Sequence, residues 1–308
     1  MSPAPASDAA GPGRRVWITG HGGFTGRYLS SALHEAGFEP VAASELPTFD
    51  LRNVESIERE LARARPEYVI HLAAVTFVAH GRASDFYEVN TVGTAQLLEC
   101  LARSAYAPRK VIVASSANIY GNARVEPITE DTPPAPVNHY ACSKLAMELM
   151  TRTYFDRLPI LIVRPFNYTG VGQPGHFLVP KLVRHYAERA PSIKLGNLDV
   201  VRDFSDVRML AAAYCRLLAG SLVSTEVNIC SGNGWSLQAI LDRLSALTQH
   251  APRIEVDPAL VRGSEVKRLV GGSDRLARAV GALPFADFGA TLAWMLDRAT
   301  PPAAPAAI

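Results

Sequence analysis

Residues 19–26 read Thr-Gly-His-Gly-Gly-Phe-Thr-Gly, directly after the apolar run Val16-Trp17-Ile18 and directly before a helical pattern. Four glycines in eight residues at a strand-to-helix junction leave few folds open. Such a junction suits a backbone that must come close to a bulky anion. Gly20 permits a tight turn, Gly23 lets the backbone approach a phosphate, and Gly26 lets helix and strand pack closely. A helix beginning near Phe24 adds unpaired N–H groups and a partial positive charge. Three glycines also make an ordinary turn, so the weight falls on the rest of the chain.

Beyond the glycine tract, strand and helix patterns alternate. RVWIT (15–19), FEPVAA (38–43), YVIHLA (68–73), KVIVASS (110–116) and PILIVRP (159–165) read as strands. Helical patterns fall between them, from Phe24 to Gly37, Val54 to Ala64, Asp85 to Ser104 and Tyr140 to Phe155. Continuous apolar strands separated by helices predict a parallel sheet covered on both faces, hence a doubly wound α/β fold of the Rossmann kind. After Arg164 the loops lengthen, helices near Phe177–Arg189 and Ser236–Gln249 are separated by short strand-like pieces, and Val227–Cys230 reads as one more strand of the main sheet. The expected division is a loose lead (1–14), a dinucleotide-binding part (15–165, with 200–232 added), a smaller, mostly C-terminal α/β substrate region (166–199 and 233–299) and a loose tail (300–308).

Composition excludes several classes. The chain has 308 residues, a net charge of +2 and 48% hydrophobic residues. That gives no electrostatic case for nucleic acid or an anionic membrane surface. No apolar run is long enough to cross a bilayer, and MSPAPASDAAGPGRR lacks the apolar core of a signal peptide. Cys100, Cys142, Cys215 and Cys230 form no CxxC pair, and the eight histidines show no metal-ligand spacing. The expectation is a soluble cytoplasmic protein with reduced thiols and no metal.

The glycine tract has the spacing TGxxGFxG. Together with HLAA (71–74), SSANIYG (115–121) and YACSK (140–144) it resembles the extended short-chain dehydrogenase/reductases, the NAD-dependent epimerase/dehydratase family of nucleotide-sugar enzymes. The resemblance runs from about residue 15 to 299. It implies NAD or NADP on Gly20, Gly23, Phe24, Gly26, Asp50, Leu51, Leu72, Ala73, Ala74, Asn90, Tyr140 and Lys144. An acidic residue often ends the second strand in NAD-preferring members. Here Ala42-Ala43-Ser44-Glu45 puts Ser44 near that position, which leaves NAD against NADP open. A helix N-cap is the plain alternative for Asp50.

Tyr140 and Lys144 stand four apart on a helix and so share a face. A phenol with an ordinary pKa of about 10 is a poor acid or base at neutral pH, and a neighbouring ammonium is expected to lower it. The resemblance makes Ser116, Tyr140 and Lys144 the catalytic set. Ser116 and Tyr140 would meet the reacting sugar oxygen, and Lys144 would also hold the cofactor ribose. Dehydratases of the family carry a carboxylic acid just after the catalytic Ser/Thr. Ala117 and Asn118 stand there in this chain, which disfavours dehydration.

Past residue 160, RPFNYTGVGQ (164–173), VPKL (179–182), LGNLDVVRDFSDV (195–207) and VRGSEVKRL (261–269) are similar to GDP-mannose dehydratases and GDP-4-keto-6-deoxymannose reductases. The similarity implies a nucleoside diphosphate facing Asn167 and Lys181, clamped by Arg202 and Arg262, with its ribose on Glu265. Forked guanidiniums suit a diphosphate and a carboxylate suits paired hydroxyls. The plain alternatives are a surface ion pair for Arg202-Asp203 and a solvated one for Arg262 and Glu265. Gly263 replaces a proline common in the family.

The implied activity is NAD(P)-dependent reduction of the 4-keto group of a nucleotide-activated 6-deoxyhexose, GDP-4-keto-6-deoxy-D-mannose to GDP-D-rhamnose or its C4 epimer. The alternatives are a 4-epimerase with tightly bound NAD, for example on dTDP-L-rhamnose, and a non-catalytic dinucleotide sensor. A homodimer through the helices near 85–104 and 140–155 is also implied.

Overall fold

β1 (Arg14–Thr19) leads through the glycine turn into α1 (Phe24–Glu35) and β2 (Phe38–Ala42), in a computed structural model that describes residues 14–45, 48–76, 82–261 and 266–299. α2 (Val54–Ala64) and β3 (Tyr68–His71) follow. α3 (Ala83–Tyr87) then runs through a π-helical turn (Glu88–Gly93) into α4 (Thr94–Arg103). β4 (Lys110–Ala114), a 3-10 turn (Ala117–Tyr120), α5 (His139–Arg152) and β5 (Ile160–Pro165) complete the alternating part. These elements match the sequence reading, with one refinement: the helix expected over 85–104 is interrupted by the π-turn, which buries Asn90.

The central sheet has the order β2-β1-β3-β4-β5-β9 with every pair parallel, β9 being Thr225–Ile229. Alternation along each strand explains the unbroken apolar runs. Val16, Ile18, Ile112, Leu161 and Val163 face α1 and α7 (Val207–Ala219). Trp17, Val111, Val113, Ile160 and Ile162 face α2, α4 and α5. Strand order reverses its direction of growth beside β1, and ligands of such sheets bind in the crevice outside the carboxyl ends at that point. α7 is not foreseen in the sequence: it is apolar on most of its circumference because it packs between the sheet and neighbouring helices, leaving no polar stripe.

Immediately after β5 the chain leaves the sheet. β6 (Asn167–Thr169) pairs with β8 (Val201–Asp206), which also pairs with β10 (Gly234–Ser236) and β12 (Arg268–Leu269). β7 (Ser192–Leu195) pairs with β11 (Arg253–Val256). Residues 200–232 are therefore shared: β8 lies in the second sheet, whereas α7 and β9 belong to the central one. A third core unites α6 (Leu178–Ala187), α8 (Leu237–Thr248) and α10 (Phe288–Ala299) through Leu182, Tyr186, Ile240, Leu244, Leu292 and Met295. α9 (Asp274–Val280) packs on α7 and β9.

α1 itself ties the second region to the first. Thr25 Oγ1 bonds the Tyr168 hydroxyl at 2.8 Å, the Tyr28 hydroxyl donates to the Val171 carbonyl at 2.7 Å, and Arg27 donates to the Gly172 carbonyl at 3.3 Å. The glycine-turn helix and the segment after β6 are thus held in fixed relation.

Candidate active site

The glycine turn is as tight as its composition requires. Gly20 has φ +73°, and a Cβ there would lie 2.9 Å from the Ala73 nitrogen. A Cβ on Gly26 would lie 2.3 Å from the His21 carbonyl oxygen. Gly23 caps α1 without any side-chain hydrogen bond, so the first-turn N–H groups face the turn. The Phe24 ring lies parallel to that of Tyr168 at 6.2 Å.

Across the crevice, the Leu72-Ala73-Ala74 segment is anchored from behind. Thr19 Oγ1 accepts from the Ala73 N–H at 3.2 Å and pairs with His71 Nδ1 at 2.7 Å, while His71 Nε2 pairs with Thr94 Oγ1 at 2.9 Å. Burial, assisted by the Lys144 charge, pushes His71 down to about 3, so the ring is neutral. Thr19, His71 and Thr94 are functional supports that the sequence reading passed over, although His71 opens the HLAA motif.

Asn90, expected at the cofactor, hydrogen-bonds the protein itself. Its amide accepts from the Val75 N–H at 2.8 Å and donates to the Val75 carbonyl at 3.0 Å and to Ser143 Oγ at 3.1 Å. It fixes the 73–76 loop against α5. The Leu51 side chain lies in the core with Trp17 and Ile57, which leaves its backbone for the expected adenine contact. Asp50 is not a helix N-cap, because Asn53 Oδ1 accepts the Ser56 N–H at 2.9 Å. The Asp50 carboxylate accepts from Arg52 Nη2 at 2.7 Å, which holds it below its usual range.

Ser116, Tyr140 and Lys144 converge beyond the carboxyl end of β4. Asn138 caps α5 by accepting the Ala141 N–H at 2.9 Å, which starts the helix one turn before Lys144. Lys144 Nζ donates to the Ala114 carbonyl, the last residue of β4, at 2.8 Å. Burial pushes Lys144 down to about 8, with Glu148 opposing. Tyr140 is pushed up to about 12 by burial, against a hydrogen bond from Ser116. The expected lowering by Lys144 is not seen: desolvation of the phenolate sets the direction of the shift. Ser116 Oγ accepts from both the Asn118 N–H and Asn118 Nδ2 at 3.2 Å.

In β6, just after the central sheet, Asn167 Nδ2 is buried and finds no hydrogen-bond partner among the described residues. An orphaned buried donor is costly unless a ligand meets it. Lys181 Nζ donates to the Lys194 carbonyl at 2.5 Å. Arg202 turns onto backbone, donating to the Val201 carbonyl at 3.0 Å and also to that of Val266. The Asp203 carboxylate is fully buried and taken up by Ser231 Oγ at 2.7 Å and the Gly232 N–H at 2.8 Å, so the alternative of a surface pairing with Arg202 is wrong. Arg262 and Glu265 lie outside the described residues. Among the described residues no His/Cys/Asp/Glu group could hold a metal, no helix is long and apolar enough to cross a membrane, and the four cysteines are free.

The chain is similar to known proteins over most of its length. The chain is 36% identical over 268 residues to a GDP-6-deoxy-D-talose 4-dehydrogenase from Aggregatibacter actinomycetemcomitans, covering 87% of this chain and 91% of that one. It is 32% identical over 283 residues to a GDP-6-deoxy-D-mannose reductase from Pseudomonas aeruginosa, covering 88% and 92%. The structure of RMD from Pseudomonas aeruginosa complexed with NADPH superposes with a TM-score of 0.83 at 30% identity over 93% of this chain and 97% of that one. The family described as NAD dependent epimerase/dehydratase matches residues 16–230. The chain belongs to that family.

Proposed function

We propose that this protein reduces the 4-keto group of a GDP-4-keto-6-deoxyhexose with NADH or NADPH, yielding GDP-6-deoxy-D-mannose or its C4 epimer, the 6-deoxy-D-talose form. The observation that carries the reading is the convergence of Ser116, Tyr140 and Lys144 at the end of β4, followed by Ala117 and Asn118 in place of an acid that would assist dehydration. Relatives acting at C4 of GDP-6-deoxyhexoses support the sugar class.

The residues present fit a dinucleotide. The turn has no room for a Cβ at Gly20 or Gly26, the uncapped start of α1 offers N–H groups to a pyrophosphate, and Lys144 reaches the end of β4. Gly23, Phe24, Leu72, Ala73 and Ala74 line the same turn, with Asp50 and the Leu51 backbone toward the adenine end. Reduced nicotinamide supplies the hydride that C4 of the sugar accepts.

Tyr140 holds the proton that the new hydroxyl needs. Burial keeps the phenol protonated at neutral pH but makes it a weaker acid than usual, so the Lys144 charge would have to ease proton release as negative charge develops on the sugar oxygen. Two donors from Asn118 occupy the Ser116 oxygen, so its own O–H is directed outward to polarise the substrate carbonyl. Lys144 supplies positive charge beneath both. Asn167, Lys181, Arg202, Arg262 and Glu265 are assigned to the nucleoside diphosphate and its ribose; for Lys181 and Arg202 this requires release from the carbonyls they now touch.

The dinucleotide part is taken as 15–165 with α7 and β9, and the substrate region as the second sheet with α6, α8 and α10. Free cysteines fit a cytoplasmic protein. A homodimer is assigned to the helices around the π-turn and α5, where Val92 and Leu149 are 51% and 55% exposed.

Incubation with GDP-4-keto-6-deoxymannose and reduced cofactor, with the product identified by NMR, tests the reading. Stoichiometric loss of reduced cofactor with formation of a 4-hydroxy sugar is expected. Tightly bound NAD, no net cofactor loss and interconversion of C4 epimers would establish the epimerase instead.

A further inference from the structure

The corner beyond β2 decides which dinucleotide a sheet of this kind accepts, because a carboxylate there pairs with the adenosine ribose 2′-hydroxyl and an arginine accommodates a 2′-phosphate. Here the strand itself provides neither at Ser44. A carboxylate arrives from elsewhere: Glu60 of α2, only 4% exposed, reaches across to Ser44. Its Oε2 accepts the Ser44 N–H at 3.1 Å and its Oε1 accepts the Ser44 hydroxyl at 2.7 Å. Both hydrogens that Ser44 could give to a phosphate are thereby spent.

The same carboxylate holds Arg63. Nε donates to Oε1 at 3.1 Å and Nη2 donates to Oε2 at 2.7 Å, a forked pair. Nη2 also donates to the carbonyl of Ala42, the last residue of β2, at 2.6 Å. The guanidinium, 48% exposed, therefore sits at the strand end with its charge matched. Burial works against the Glu60 charge, yet the bonds from Arg63 and Ser44 prevail and hold its carboxyl below the usual range. A second carboxylate faces the glycine turn: a Cβ on Gly22 would lie 3.0 Å from Glu45 Oε1.

Resting on the dinucleotide reading above, we propose that Glu60 sets a preference for NAD(H) over NADP(H), by consuming the Ser44 donors and neutralising Arg63 while Glu45 leaves the corner negative. A 2′-hydroxyl can donate to Ser44 Oγ or to Glu45. A 2′-phosphate meets a carboxylate, a hydroxyl with no proton to spare, and a guanidinium already paired. Like charge and unmet acceptors disfavour it.

Equilibrium titration of NADH and NADPH, read by nicotinamide fluorescence without any sugar, tests this. Wild-type protein is expected to bind NADH roughly tenfold or more tightly than NADPH. Glu60→Gln frees Arg63 and should narrow that ratio by tightening NADPH. Adding Arg63→Met to Glu60→Gln should abolish the gain, because the freed guanidinium is its source. Equal or tighter NADPH binding by the wild type overturns the proposal, as does a Glu60→Gln protein, folded by circular dichroism, whose ratio is unchanged. Should Glu60→Gln not fold, Arg63→Met alone decides: it should leave the NADH preference in place, and its loss would contradict the assignment. If neither dinucleotide binds the wild type, the dinucleotide reading itself fails, a different outcome from a reversed ratio.

Discussion

Ser116 acquires its direction from Asn118. With the Asn118 N–H and Nδ2 both on Ser116 Oγ at 3.2 Å, its own O–H is left for Tyr140 and, in the proposed reaction, for the sugar oxygen. Asn118→Ala is therefore expected to lower kcat by about tenfold with little change in KM, since it misaligns a donor used in the transition state rather than a substrate contact. Steady-state kinetics on the keto sugar measure it, and an equal rise in KM would place Asn118 in substrate binding. Lys144 carries a different signature. Its proton is lost near about 8 in the folded chain against 10.5 ordinarily, so between those pH values the unfolded chain binds more protons and stability rises with pH. Lys144→Met should accordingly be more stable than wild type at pH 7, by on the order of 2–3 kcal/mol, and lose that advantage as pH climbs past about 10. Urea unfolding of both proteins across this range checks the sign.

α5 and β5 are joined by a buried ion pair that sits one helical turn beyond Lys144. Arg164 donates to Glu148 through Nε at 3.0 Å and Nη2 at 2.7 Å, and its Nη1 donates to the Tyr120 hydroxyl at 2.8 Å, which in turn donates to Asn228 of β9 at 2.8 Å. Four elements meet there with little water. Arg164→Met should cost about 3–5 kcal/mol by leaving Glu148 charged and unpaired, and Glu148→Met in the same chain should restore part of it. Chemical denaturation of the single and double variants measures the coupling. None of this network is visible in the sequence, because Glu148 and Arg164 belong to elements whose packing decides the pair. The elements themselves were legible: β1, β3, β4 and β5 because both faces are covered, α2 because its period is clean. The glycine turn and the Ser116, Tyr140 and Lys144 set were legible because their chemistry demands particular residues at fixed spacing. α7 lacked a polar stripe, the short strands of the second sheet lack alternation, and the behaviour of Asn90 and Leu51 depends on what lies behind them. Glu60 escaped notice for the same reason, being distant in sequence from the strand end it serves.

At the scale of the whole molecule, two sheets share one crevice, and α1 grips the segment after β6 through Thr25, Arg27 and Tyr28. Tyr168→Phe removes the Thr25 bond and should weaken this grip without disturbing the glycine turn, raising KM for the sugar nucleotide severalfold while NADH binding is kept; isothermal titration of each ligand separates the two. Val92 and Leu149 are exposed on the π-turn and α5, which the proposed homodimer would pair. Leu149→Asp is expected to convert a dimer to monomer in analytical ultracentrifugation, since a charge in an apolar contact is costly. In the proposed reaction Tyr140 gives a proton and C4 of the sugar accepts hydride from a nicotinamide that arrives reduced and leaves oxidised. Deuterium tracing tests it most directly: reduced nicotinamide cofactor carrying deuterium at both C4 positions is mixed with GDP-4-keto-6-deoxymannose, and the product is read by NMR. One deuterium at sugar C4 per cofactor oxidised, with turnover reduced at least about a hundredfold in Tyr140→Phe, is the predicted result. Product formed without label from added cofactor, alongside NAD retained on the purified protein, would contradict the account.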